Sequence, residues 1–420
     1  MGKFMEFCDG LNSYAHFIVF YQKAFSYVNE KVKPSCQFSI LHSSKTVVGV
    51  GLLFAALIAC SWAYLINFPA VRPLGATYNV QEGKALIKGC NVFEGRWIPD
   101  RRNPLYNASQ CPFAEDGFDC LSNGRRDDNY LKWRWKPREC EIPKFKADEV
   151  LKTLRGKRIV FVGDSLGRSQ WESLICMLMT GVMDKSTVYE VNGNQISKKI
   201  SFLSVVFKSV NLRIDFYRSV FLVQPSQVPR RSPKRVKSTL SIDKMDEISH
   251  EWIDSDVLIF NTGHWWTPSK LFQLGCYFKL NGSLKLGMPI NTAYRIALQT
   301  WASWADSYIQ QRKTRVFFRT FGASHWSGKT HQTCKVTRHP LAKARDRGRN
   351  SFSDLIIRVT KKMKLPVTVL HVTPMAATRS DAHVGAWGDN PSNPDCSHWC
   401  LPGVPDTWNE ILLSQLIFNN

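Results

Sequence analysis

Three residues at opposite ends of this 420-residue chain have the types and order that acyl transfer requires. Ser165 follows the apolar run Ile159-Val-Phe-Val162, which reads as a short buried parallel strand. Gly163 breaks the run and Asp164 follows it. From Arg168 to Thr180, apolar side chains at Trp171, Leu174, Ile175, Met177 and Leu178 recur at helical spacing. A serine between a strand and a helix sits at the carboxyl edge of a sheet, where unsatisfied helix N–H groups can face a developing oxyanion. The same Gly-Asp-Ser also suits plain helix capping by Asp164 or Ser165. The catalytic reading gains weight from Asp395-Cys-Ser-His398. Its acid and imidazole are three residues apart, so in a turn or first helical turn both face one way. A serine nucleophile needs a base to take its proton and a carboxylate to orient that base. Ser165, His398 and Asp395 supply one of each.

The elements that must position them alternate. Strands are expected at Thr187 to Val191 and within Ile200 to Val223, with Asn192-Gly193 as a hairpin signal. Others are expected at Val257 to Phe260, Arg315 to Phe318 and Val367 to Val372. Helices are expected at Asn291 to Gln311, Ser351 to Lys364 and Asp406 to Leu416. Alternating strand and helix predicts an α/β fold with a mostly parallel sheet covered on both faces. Ligands then bind at the carboxyl ends of the strands, where Ser165, Asn261 and Thr320 fall.

Upstream of residue 144 the chain changes character. Residues 1–45, mixed polar and apolar with scattered lysines and no strong period, read as a cytosolic tail, and 46–68, without a charged residue, are long enough to span a bilayer. Lys31, Lys33 and Lys45 before this segment, against Arg72 after it, favour a cytosolic N-terminus. Residues 69–88 read as a stem, 89–143 as a small Cys/Trp-rich domain and 144–420 as the catalytic domain. Trp97, Tyr106, Trp133 and Trp135 of the small domain could stack on sugar rings, but most are expected to pack in its small core. The formal net charge is +22. That suits an acidic polymer or a membrane surface, and with no nucleic-acid motif in the chain nucleic acid is not the expected partner. Pro229 to Lys237 is the densest basic run, either a solvated insertion or a grip on an acidic glycan. Of twelve cysteines, nine follow the apolar segment. Zinc at Cys396, His398 and Cys400 competes with disulfides, but the scattered spacing favours an oxidising lumen, bridges and no bound metal. Asn107-Ala-Ser and Asn281-Gly-Ser are glycosylation sequons.

The chain resembles the plant trichome birefringence-like family of SGNH/GDSL-type polysaccharide O-acetyltransferases. The resemblance rests on the two motifs above and on Cys90-Asn-Val-Phe-Glu-Gly-Arg-Trp97, Pro104-Leu-Tyr106, Cys111-Pro-Phe113 and Trp133-Arg-Trp-Lys-Pro-Arg-Glu-Cys140. Asn261-Thr-Gly-His-Trp-Trp266 and Phe317-Phe-Arg-Thr320 extend it. It implies an SGNH-hydrolase-like three-layer α/β/α catalytic domain behind a disulfide-rich N-terminal domain. It further implies a single-pass type II Golgi membrane protein with its catalytic domain in the lumen. The family pattern implies the bridges Cys90–Cys140, Cys111–Cys176, Cys120–Cys400 and Cys334–Cys396, leaving Cys276 free. It also makes Asn261 an oxyanion donor beside the Ser165 and Gly263 N–H groups, with Gly163 and Asp164 adjoining on the substrate side.

The implied reaction moves an acetyl group from acetyl-CoA, or from a membrane partner that relays it, through Ser165 to a wall polysaccharide. No bound cofactor is needed. Gly275-Cys-Tyr-Phe278 and Ser283 to Met288 look like the pectin-acetylating side of the family, so a rhamnogalacturonan-type acceptor is expected, with xylan the runner-up. An acetylesterase with the same triad and a catalytically silent glycan-binding protein are the competing classes.

Overall fold

The computed structural model describes residues 89–418 apart from 102, 311–312, 328–332, 345–347 and 389. The expected tail, membrane span and stem lie outside the described residues. Among the described residues no helix is long and apolar enough to cross a membrane.

In chain order the strands are β1 Gly95–Pro99, β2 Trp133–Pro137, β3 Arg158–Gly163, β4 Val188–Glu190, β5 Phe202–Phe207 and β6 Leu212–Arg218. There follow β7 Val223–Ser226, β8 Ser238–Met245, β9 Val257–Phe260, β10 Cys276–Leu280, β11 Ser283–Lys285 and β12 Arg315–Arg319. The last are β13 Trp326–Ser327, β14 Thr333–Cys334, β15 Val367–Leu370, β16 His383–Gly385 and β17 Asp395–Trp399. The α-helices are α1 Ala147–Thr153, α2 Ser165–Met179, α3 Ile290–Tyr308, α4 Ser351–Thr360, α5 Thr373–Ala376 and α6 Val404–Phe418.

The main sheet has seven strands in the order β15-β12-β9-β3-β6-β5-β4. From β15 to β6 the pairs are parallel, and β5 and β4 add antiparallel. Strand side chains alternate between the two faces. Ile159 and Phe161 of β3 therefore enter one core with Trp171, Leu174 and Trp408 of α2 and α6. Val160 and Val162 enter the other, with Tyr294, Leu298 and Trp301 of α3. That two-sided burial is why the strands read as continuous apolar runs.

Several sequence expectations need correcting. The fold is α/β, but the sheets are mixed. A second sheet, β11-β10-β8-β7, which sequence reading did not separate, packs on α3. The Asn192-Gly193 turn does not close a tight hairpin. Gly193 has φ +68°, and the Glu190 carboxylate accepts from the Asn192 and Asn194 N–H groups. Pairing of β4 with β5 begins only after the long segment 191–201. The two-residue hairpin lies instead at Asn281-Gly282, between β10 and β11. There Leu280 faces Ser283 and both loop residues have positive φ, 50° and 75°, the conformation of a type I′ turn. Both sequon asparagines, Asn107 and Asn281, are exposed. The basic run 229–237 joins β7 to β8, so it belongs to the second sheet and not to the carboxyl edge of the main one.

Residues 89–143 do not stand apart from the rest. Trp97, Tyr106 and Trp135 are buried, and Trp133 is half-buried. Trp97 donates through its indole to the Met375 carbonyl at 3.1 Å, and the Tyr106 hydroxyl to Asp406 at 3.0 Å. One apolar core runs through both parts. The Cys111–Cys176 bridge ties this segment to α2, and Cys120–Cys400 ties it to the end of β17.

Candidate active site

Ser165 is the first residue of α2, three residues earlier than periodicity placed the helix start. The capping question resolves in favour of Asp164. Its Oδ1 accepts from the Leu166 N–H at 3.0 Å with extended backbone, so Asp164 is the cap. The Ser165 hydroxyl is thereby left for other work, and its N–H, in the first helical turn, has no partner within the helix.

The Ser165 hydroxyl lies 2.7 Å from His398 Nε2, and His398 Nδ1 lies 2.5 Å from Asp395 Oδ2. Asp395 and His398 sit on β17, a short strand paired with β16, not on a turn or helix. They face one way because Asp395 Oδ1 also accepts from the Ser397 and His398 N–H groups, both at 2.9 Å, which folds the carboxylate back over the strand. Burial opposes the charge on Asp395, but His398 and those N–H donors hold its carboxyl well below the usual range. Burial likewise opposes the imidazolium of His398, yet the charge and hydrogen bond of Asp395 outweigh it and push His398 above its ordinary value. The carboxylate accepts at Nδ1, so Nδ1 carries the proton and Nε2 is free to take one from Ser165.

Two further layers hold the base. His383 Nδ1 donates to the His398 carbonyl at 2.8 Å, since a carbonyl only accepts. His383 Nε2 lies 2.7 Å from His325 Nδ1, and His325 Nε2 donates to the Ala377 carbonyl at 3.0 Å. Burial and the neighbouring His325 push His383 down to about 3, in keeping with a neutral ring. The Phe118 ring, from the N-terminal segment, stacks on His398 with 5.5 Å between centroids. Arg168, one turn along α2 from Ser165, lies over Phe118 and pairs with Glu172 at 2.5 Å and with Glu115. The N-terminal segment thus forms a wall of the site.

The four bridges Cys90–Cys140, Cys111–Cys176, Cys120–Cys400 and Cys334–Cys396 are formed, and among the described residues Cys276 is a free, buried thiol. Cys396 and Cys400 are consumed in bridges, which removes the zinc reading of Cys396, His398 and Cys400. These two bridges grip β17 on either side of His398. Replacing Cys400 or Cys396 with serine is expected to cost about 2–5 kcal/mol of stability and to lower activity through misplacement of His398. Peptide mapping without reductant, alongside thermal melting and rate, checks both halves; two free thiols in the wild-type protein would overturn it.

The oxyanion candidates divide. Ser165 and Gly263 keep backbone N–H groups at the carboxyl edge. Asp164 is fully buried, and His264 beside it, Arg319 behind it and the Asn261 amide hold it ionised against the cost of burial. A carboxylate only accepts, so Asp164 is no oxyanion donor. Asn261 commits one amide hydrogen to Asp164 Oδ1 at 2.6 Å. Its Oδ1 packs where a Cβ on Gly163 or Gly167 would collide with it. Gly163 therefore serves to admit Asn261 rather than to touch substrate. Sequence reading missed Gly167, although a glycine in the first turn of a helix, costing about 1 kcal/mol, was a signal. It also missed the part played by His264, whose Nδ1 stands 3.5 Å from Asp164 Oδ2 and whose Nε2 donates to the Gly322 carbonyl at 2.8 Å. Phe118, His383 and His325 carried no local signal. Among the described residues no group of His, Cys, Asp and Glu could hold a metal ion.

A seven-stranded sheet with a Gly-Asp-Ser at the end of a central strand, and an Asp-x-x-His brought to it from the C-terminal end, defines the SGNH class of serine acyl-esterases and acyltransferases. Residues 142–415 match the GDSL/SGNH-like acyl-esterase family found in Pmr5 and Cas1p, and residues 88–141 match the PMR5 N-terminal domain. The chain belongs to this family, in its trichome birefringence-like branch. It is 55% identical to trichome birefringence-like protein 7 of Arabidopsis thaliana over 379 residues, 90% of this chain and 85% of the relative. Identity to trichome birefringence-like protein 6 of the same plant is 41%, covering 84% of this chain and 76% of the relative. To trichome birefringence-like protein 9 it is 37%, covering 92% and 97%.

Proposed function

We propose that this protein is a polysaccharide O-acetyltransferase that works through an acetyl-serine intermediate. The observation behind the proposal is the unbroken hydrogen-bonded line Ser165–His398–Asp395. Ser165 Oγ attacks the acetyl carbonyl while His398 Nε2 takes its proton, and Asp395 stabilises the imidazolium. The Ser165 and Gly263 N–H groups face the oxyanion. Collapse expels the donor's leaving group, which receives that proton. A sugar hydroxyl then gives its proton to His398 and attacks the acetyl-serine, and Ser165 recovers the proton as it leaves.

The acceptor is a wall polymer, for which the +22 charge favours an acidic pectin of the rhamnogalacturonan type over xylan. The donor is acetyl-CoA or an acetyl group relayed by a membrane partner. The setting is the Golgi lumen, behind a single membrane anchor at residues 46–68. Esterase action would use the same residues with water as acceptor. The test incubates the purified full chain with an acetyl donor and deacetylated pectin, xylan and a no-polymer control. Ester formed on pectin faster than acetate released to water is the expected result. Acetate release unaffected by any polymer would make the protein an esterase.

A further inference from the structure

Two cations share one indole ring beyond the carboxyl ends of β6 and β9. Arg218 ends β6, and its Cα is the register partner of Gly163 on β3, about 4.8 Å away across parallel strands. The next residue, Ser219, donates its N–H to the Gly163 carbonyl at 3.0 Å. Arg218 is thus one strand spacing from the residue two before Ser165. On the other side, the segment after β9 passes Asn261 and His264, both set against Asp164, and reaches Trp265. The Arg218 guanidinium lies 5.4 Å from the centre of the Trp265 ring, and the Lys270 ammonium 5.1 Å from it. Phe221 meets the same ring edge-on at 6.3 Å. Arg218 also donates to the Lys198 carbonyl at 2.8 Å, a neutral partner. Neither cation pairs with a carboxylate among the described residues. Lys270 is exposed, and Arg218, Trp265 and Phe221 are half-buried.

We propose that Arg218 and Lys270, held on the Trp265 ring, form a subsite that reads the carboxylate of a uronic acid residue in the acceptor, next to the sugar that receives the acetyl group. The indole attracts both cations and limits their motion, so less rotamer freedom is lost when an anion arrives. A guanidinium can meet a carboxylate with two parallel N–H bonds, and an ammonium adds a point charge. A neutral xylose backbone would leave these cations unused. The alternative source of acid recognition, the run 229–237, sits on the second sheet. This proposal rests on the acetyl-transfer reading for its purpose, but binding tests it independently of catalysis.

The test measures, by titration calorimetry, binding of a de-esterified oligogalacturonide and of a neutral xylo-oligosaccharide to the detergent-solubilised full chain carrying Ser165→Ala. The expected result is salt-sensitive binding of the oligogalacturonide, weakened roughly tenfold to a hundredfold by Arg218→Gln with Lys270→Gln. Xylo-oligosaccharide binding should not change, and Arg218→Lys should restore part of the loss. Equal melting temperatures separate lost recognition from lost fold, and Lys270→Gln alone, at an exposed position, gives a partial effect free of that concern. Absence of oligogalacturonide binding, unchanged binding by the double variant, or equal loss for both sugars would overturn the proposal. So would a loss found only on neutralising Arg230, Arg231, Lys234, Arg235 and Lys237. Failure of the acetyl-transfer reading would show differently, as binding intact and transfer to every polymer absent from the wild-type protein.

Discussion

Ser165→Ala yields a folded protein whose transfer rate is lower by roughly 10⁴ to 10⁶. The loss is large because the substitution removes the one oxygen that His398 Nε2 is placed to deprotonate, 2.7 Å away. The fold survives because the α2 cap is the Asp164 carboxylate and not the serine. Alanine is also a good helix former at the first helical position. The melting temperature should therefore stay close to wild type while rate collapses. Mass spectrometry of the wild-type protein with donor and no acceptor should find one acetyl group on Ser165, and on the variant none. A variant that still acetylates polymer at near wild-type rate would remove Ser165 from the nucleophile's place.

Asp395→Asn costs nearly as much, roughly 10⁴ in rate, for a different reason. One Asp395 oxygen accepts from His398 Nδ1 and the other from the Ser397 and His398 N–H groups. An amide has one accepting oxygen, so asparagine can satisfy only one side. If its NH₂ faces Nδ1, the proton moves to Nε2 and the base is in the wrong tautomer. The pH dependence separates this from general damage. His398 must be unprotonated to act, so the wild-type kcat/KM rises with pH through the His398 pKa, which Asp395 holds above the ordinary 6.5. Without the carboxylate, burial is left to favour the neutral ring and the pKa falls. The residual activity of the variant should therefore climb at lower pH than the wild type's. An unshifted or upward-shifted acid limb would show that Asp395 does not set the charge of His398.

What was legible in the chain was whatever a short window encodes. The run Ile159 to Val162, with Gly163 and Asp164 behind it, marked Ser165 as the candidate nucleophile because two-sided burial writes an apolar run and the strand-to-helix junction writes its own punctuation. Asp395 and His398 were legible as a pair, but their conformation was not. A carboxylate that accepts from the two N–H groups ahead of it turns three residues of strand into the equivalent of a turn, and nothing in Asp-Cys-Ser-His spells that. The second sheet was missed because β7 and β10 are short, β8 is partly polar despite its eight residues, and pairing of β8 with β10 crosses the intervening β9 and its loop. Asn281-Gly282 carries the same Asn-Gly hairpin signature as Asn192-Gly193. The difference lay in the flanks: β10 and β11 abut their turn directly, whereas the partner of β4 begins far downstream. Asn261 was legible as a polar residue at a strand end, but not that one of its amide hydrogens goes to Asp164 Oδ1. Its fit against Gly163 and Gly167 depends on residues nearly a hundred positions away.

Phe118 stacked on His398 has a consequence for how members of such a family diverge. The N-terminal segment supplies a face of the base, closes a disulfide onto the far end of β17 and shares its apolar interior with α2 and α6. It is not an appendage that could be traded between relatives as a unit. A change in the ring at position 118 alters the contact surface of the imidazole, and a change on β17 alters the floor on which that ring rests. The two parts must be inherited together. Divergence in acceptor choice is then easiest where neighbours are few and solvent is near, at positions such as Lys270, and hardest at the junction where one segment's aromatic ring rests on the other's base.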